Sequence, residues 1–135
     1  MSLDRAPQYY TVFTAKTDTG VSNPFYIGDS RNQAFSVYGA GSITGTVKVR
    51  ISSQEDVVIA SAASATNRWT YADLAPSDTA GVITDGDTGI TWAGSAASKD
   101  FEVNQNCYVW CALEITAISG ASAAVTASLA ITSNQ

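Results

Sequence analysis

The sequence predicts an all-β protein: an antiparallel β-sandwich of about eight strands, jelly-roll or immunoglobulin-like, with no substantial helix. Three observations carry that prediction. The longest ordered runs alternate apolar and polar residues with period two. Turn-forming residues interrupt them roughly every 8–12 positions, the rhythm of a sandwich or barrel. No window sustains the 3.6-residue apolar spacing of an amphipathic helix.

In chain order, QYYTVFTAK sets Tyr9, Thr11, Phe13 and Ala15 against Tyr10, Val12, Thr14 and Lys16. Asp18-Thr19-Gly20, Asn23-Pro24 and Gly28-Asp29 then supply turns. AFSVYG is a short apolar run closed by Gly39-Ala40-Gly41. In GSITGTVKVRIS, Ile43, Val47, Val49 and Ile51 share one face, and Thr44, Thr46, Lys48 and Arg50 the other. That is a half-buried strand with one polar face. EDVVIA is a further short apolar run, read as a strand.

The stretch from Ala62 to Lys99 is the least regular, holding Ala75-Pro76-Ser77-Asp78 and Asp85-Gly86-Asp87 turns. It is expected to be a long connection with one or two short strands, the kind of segment that often carries contacts. Strand patterns resume on both sides, so it does not divide the chain. The end of the chain reads as a hairpin. Cys107, Val109, Cys111, Leu113 and Ile115 share a face, Ser119-Gly120 turns the chain, and Ala123, Val125, Ala127, Leu129 and Ile131 line one face of the last strand. One sandwich domain over residues 9–135, preceded by an arm at 1–8, accommodates all of this.

Composition narrows the function. Charged residues are 14% of the 135 positions, well under the usual quarter, and small Ser, Thr, Ala and Gly take their place. Such a surface suits close packing against other protein. Net charge is −5, and the seven Lys and Arg form no cluster, so nucleic acid is not an expected partner. The chain has no histidine, which removes the commonest general base and metal ligand. No run reaches the ~18 apolar residues of a membrane span, and the first ten residues carry no basic-then-apolar export signal. Synthesis in a cytoplasm is the expectation.

The apparent reactive groups read as structural. Cys107 and Cys111 lie about 13 Å apart along a strand, beyond the reach of a disulfide, among apolar neighbours. Tyr108 and Trp110, on the opposite face, are expected to pack under a second layer of the same chain, the alternative being a binding or subunit contact. Asp85 and Asp87 have the spacing of an oxygen-ligand loop, but Gly89 and Ala96 stand where further ligands belong, leaving a turn. The carboxylate pairs Glu55-Asp56 and Asp85/Asp87, with the lone Glu102 and Glu114, read as solvated. No catalytic, metal or cofactor residue is therefore assigned, and a small-molecule ligand is not expected. Protein contacts are expected at Leu3 and Arg5 of the arm, at Tyr9 and Tyr10, and at Trp69, Tyr71 and Trp92 in the irregular middle. Those last three aromatics could equally plug the open end of the sandwich.

ITGTVKVRIS followed by DVVIA, and the late YVWCALEITAISGASAAVTASLAIT, resemble small all-β virion proteins of tailed bacteriophages. The resemblance spans residues 34–60 and 106–132 and lies in texture, so it transfers no functional residue. It implies a non-enzymatic capsid decoration or cement protein on the virion surface, assembled as a homotrimer and bound to the major capsid protein. The competing expectation is a carbohydrate- or receptor-binding module of a tail or fibre, stacking sugars on Trp69, Tyr71 and Trp92.

Overall fold

The computed structural model describes residues 7–28, 32–79, 81–104 and 108–132, so Leu3, Arg5 and Cys107 lie outside the described residues. Eleven strands and no helix occur among the described residues. They are β1 (Gln8–Lys16), β2 (Gly20–Val21), β3 (Phe25–Tyr26), β4 (Asn32–Ala40), β5 (Thr44–Ser52) and β6 (Thr70–Tyr71), then β7 (Leu74–Pro76), β8 (Ile90–Ala93), β9 (Ala97–Val103), β10 (Trp110–Ser119) and β11 (Ala124–Thr132). The excess over the expected eight comes from pieces of two to four residues that line the sheet edges.

Two antiparallel sheets form the sandwich. One runs β1-β11-β4-β9-β7. The other centres on β10 and β5, with β2 and β3 on β10 and with β6 and β8 on β5. The inward faces follow the period-two pattern. Val47, Val49 and Ile51 of β5 and Cys111, Leu113 and Ile115 of β10 meet Phe35, Val37, Phe101, Val125 and Leu129 of the facing sheet. All eleven are at most 1% exposed, and each contributes on the order of 1.5–3 kcal/mol of burial. Phe35 and Phe101 stack at 5.6 Å across the β4–β9 ladder.

The structure corrects four local expectations. The late segment is not a hairpin. β10 pairs with β5, β2 and β3, whereas β11 pairs with β1 and β4, so the Gly120 turn carries the chain from one sheet to the other. The β4–β5 turn crosses in the same way, and the two arches lock together, Ser42 N–H donating to Ala121 C=O at 3.0 Å. Gly120 (φ 113°) is required there, because a Cβ would lie 2.0 Å from the Ser42 carbonyl oxygen. A period-two pattern names the buried face of each strand but is the same for an arch and a hairpin.

EDVVIA is irregular, not a strand, for reasons that belong to the site described below. β1 does not alternate throughout. Tyr9 and Thr11 face outward opposite Ala130 and Ser128, but an extra residue after Thr11 brings Phe13 inward opposite Ala127. A second irregularity follows at Ala15 (φ 44°), whose N–H donates to Thr126 Oγ1 at 3.0 Å. Finally, the irregular middle supplies three short strands, β6, β7 and β8, instead of one or two.

Candidate functional site

Arg50 lies on the outer face of β5, where alternation expects a solvated side chain, yet it is only 7% exposed. The loop of residues 53–69 folds back over this face as a strap. Arg50 holds it, donating from Nη1 to the carbonyls of Ile59 (2.8 Å) and Ser61 (3.0 Å). Arg50 Nε also donates to Glu114 Oε1 on the neighbouring β10, at 2.9 Å. The register opposes Glu114 to Lys48 and Ala112 to Arg50, which sets the carboxylate one step along the same face.

Aromatics complete the cluster. The Arg50 guanidinium lies 3.9 Å from the centre of the Trp69 ring, Trp69 meets Tyr71 edge-on at 5.1 Å, and Lys48 Nζ is 4.9 Å from the Tyr71 ring centre. Trp69 Nε1 donates to Ser61 C=O, and the Tyr71 hydroxyl donates to Glu114 Oε1 at 2.7 Å. The strap has its own clasp: Asn67 Nδ2 donates to the carbonyls of Val58 and Ala62 and its Oδ1 accepts from Val58 N–H. This explains EDVVIA. Ile59, 1% exposed, plugs into the strapped face outside the main core, and the chain around it is shaped by Asn67 and Arg50 rather than by a strand ladder.

The electrostatics follow from these contacts. Burial on its own would raise the Glu114 carboxyl, but the hydrogen bonds from Arg50 and Tyr71 outweigh it and hold the group below its ordinary 4.5. Burial, helped by the Glu114 bond, pushes the Tyr71 hydroxyl up to about 12. Glu114 is thus a fixed anion between a cation and a phenol, not the isolated solvated carboxylate that the sequence implies.

The sequence-predicted contact residues separate into three groups. Trp69 and Tyr71 come together in this cluster, half-buried, their polar atoms engaged within the chain. Trp92 is no contact residue. It is 3% exposed, and its Nε1 donates to Ala97 C=O at 2.9 Å between the sheets. Its place on β8 opposite Gly45 turns it inward, so the core-plug reading holds for it. Tyr9 and Tyr10 lie on the outermost strand, 73% and 37% exposed. Tyr10 packs against Phe25 at 5.5 Å, and Tyr26, 52% exposed, meets Trp110 edge-on at 5.4 Å. This flank is therefore aromatic and open.

The other groups are structural. Tyr108 packs against the core, and Trp110 Nε1 donates to Glu55 C=O of the strap. Burial pushes the Cys111 thiol up to about 12, leaving no thiolate at neutral pH. Asp85 Oδ1 accepts from Asp87 N–H in a closed turn, and among the described residues no group of three or more potential ligands could hold a metal. Sequence reasoning missed Arg50 and Ile59. The one signal was an arginine on a strand whose loop carries a second apolar run.

What this arrangement defines is a two-sheet antiparallel sandwich with one outer face covered by its own chain and one that no described segment crosses. No protein-family model and no curated protein sequence matches the chain. Among solved structures, the crystal structure of the SPBc2 prophage-derived protein YomS shares this architecture, with a TM-score of 0.70 over 98% of this chain and 97% of that one. The two are 10% identical, so the likeness is one of fold.

Proposed function

We propose that this protein is a non-enzymatic structural component of a phage particle, a decoration or cement protein that binds the outer capsid shell and stabilises it through protein contacts. The observation that carries this reading is the fold shared, over nearly the whole of both chains, with a prophage-derived protein. The bare sheet face supports it. Its outward rows, such as Thr11–Ser128–Ser36 and Thr126–Tyr38–Ser98, are uncharged and, Tyr38 apart, short side chains on a regular β surface. A flat surface of this kind can approach another protein closely without stripping water from charges. The partners are the major capsid protein and further copies of this chain, and its place is the capsid surface after synthesis in the host cytoplasm.

The sugar-module alternative rested on three aromatics acting as stacking platforms. Trp92 is in the core, and one face of Trp69 is occupied by Arg50. The test is direct. Shells assembled without the protein are mixed with it, pelleted, and heated in parallel with bare shells. Saturable binding at a fixed copy number, with a higher disruption temperature, is the expected result. Absence from purified particles, together with no binding to shells, overturns the reading.

A further inference from the structure

We propose that β1 is a self-pairing edge through which two copies join their β1-β11-β4-β9-β7 sheets into one continuous sheet about a two-fold axis. An edge strand presents unpaired backbone N–H and C=O groups, and proteins blunt such edges by shortness, proline, bulges or charge. Most edges of this sandwich are blunted. β7 has three residues and ends in Pro76. β2, β3 and β6 have two residues each, with Pro24 between the first two, and β8 has four. β1 has nine, and no charge occurs from Gln8 to Ala15. Its bulges begin only after Thr11, so Gln8–Thr11 stays regular, and among the described residues no strand pairs with its other side.

Charge placement points to a second copy of this chain as the occupant. Self-pairing brings any charge close to the two-fold axis against its own copy and sets two chains of net charge −5 side by side, so charge near the seam would oppose it. Here β1 up to Ala15, all of β11 and all of β4 are uncharged, while Asp100 and Glu102 lie on β9, beyond both. Lys16, which ends β1, is already paired with Asp18 at 2.9 Å. The side chains are self-complementary as well. A two-fold axis perpendicular to the sheet keeps outer face with outer face, and centring it on Tyr10 sets Tyr9 opposite the partner's Thr11. Aromatic against β-branched is a favourable cross-strand pair. Tyr10 and Phe25, on the same flank, add apolar surface beside the seam. Edge-to-edge pairing of this kind is isologous and closes at two copies, not at the three that the resemblance implied.

Light scattering and sedimentation of the full chain test this. The expected mass is twice the 14.1 kDa of one chain, with slowed amide exchange at Gln8–Thr11 that is lost on dilution. Tyr9→Lys changes an exposed side chain and is expected to weaken dimerisation by about tenfold or more. Tyr38→Lys, equally outward but on β4, leaves the mass unchanged. A monomer at all concentrations, a three-copy mass, or a Tyr9→Lys protein as dimeric as the parent overturns the proposal. So does dissociation by Tyr38→Lys, which points to face-to-face stacking. Shell binding is read separately, so a dimer that ignores shells overturns the proposed function and not the edge pairing.

Discussion

On the outer face of the β10–β5 sheet, Arg50, Ala112 and Ile59 are as buried as core residues, whereas on the outer face of the β11–β4 sheet Ser36, Tyr38 and Thr126 stand in the open. Both faces are built from strands with alternating patterns, and both begin as polar stripes. The difference lies in what crosses them. The β5–β6 connection is long enough to turn back as a strap, and a single arginine gives it two carbonyl anchors, an ion pair and an aromatic lid. No described segment lies over the second face. A sandwich can therefore close one surface against itself and leave the other clear of its own described segments, with the same strand grammar in both.

That contrast can be broken on the strapped side first. Arg50→Ala leaves Glu114 without its cation and the strap without its anchors, and removing one partner from a largely buried pair is among the costlier substitutions. A loss of about 3 kcal/mol is expected in urea unfolding. Ile59→Ala empties the apolar plug beneath the strap and is expected to cost about 2 kcal/mol, although Ile59 lies outside the main core cluster. Proteolysis should then cut within residues 53–69 before any other site.

Tyr71→Phe removes one hydrogen bond to a charged acceptor and keeps the ring contacts, for a loss of about 1 kcal/mol. The same cluster sets the pH response. Glu114 titrates lower in the folded chain than in the unfolded one, so its contribution is present above 4.5 and disappears as pH falls through the folded value. Glu114→Gln should flatten the loss of stability on the acid side of 4.5. Tyr71 and Cys111 have raised values, so their contributions hold at neutral pH and are lost as pH climbs towards 12. Tyr71→Phe should delay alkaline unfolding relative to its own stability at neutral pH. The smallest effect belongs to the bare face: Ser98→Ala, exposed and without a side-chain partner among the described contacts, should stay within about 0.5 kcal/mol.

How much of this was legible beforehand differs from residue to residue. The alternation of β5 and β11 named Val47, Val49, Ile51, Val125, Leu129 and Ile131 as core, and all six are buried. Cys111 was read as a small buried hydrophobe for the same reason. Trp92 was left between core and surface because a tryptophan in an irregular stretch carries no periodicity to orient it, and only its pairing with Gly45 turned it inward. The aromatic flank was half legible: Tyr9 and Tyr10 were named, but the meeting of Tyr10 with Phe25 depends on a turn between the sheets.

The sequence by itself determined the class of fold and the buried face of each long strand, because a strand's two faces follow from the fixed geometry of its backbone. Tertiary structure alone decided which polar faces were covered again, which strands became edges and whether a turn joined strands within a sheet or between sheets. Those outcomes depend on contacts such as that between Arg50 and Glu114, 64 residues apart, for which a local pattern carries no term.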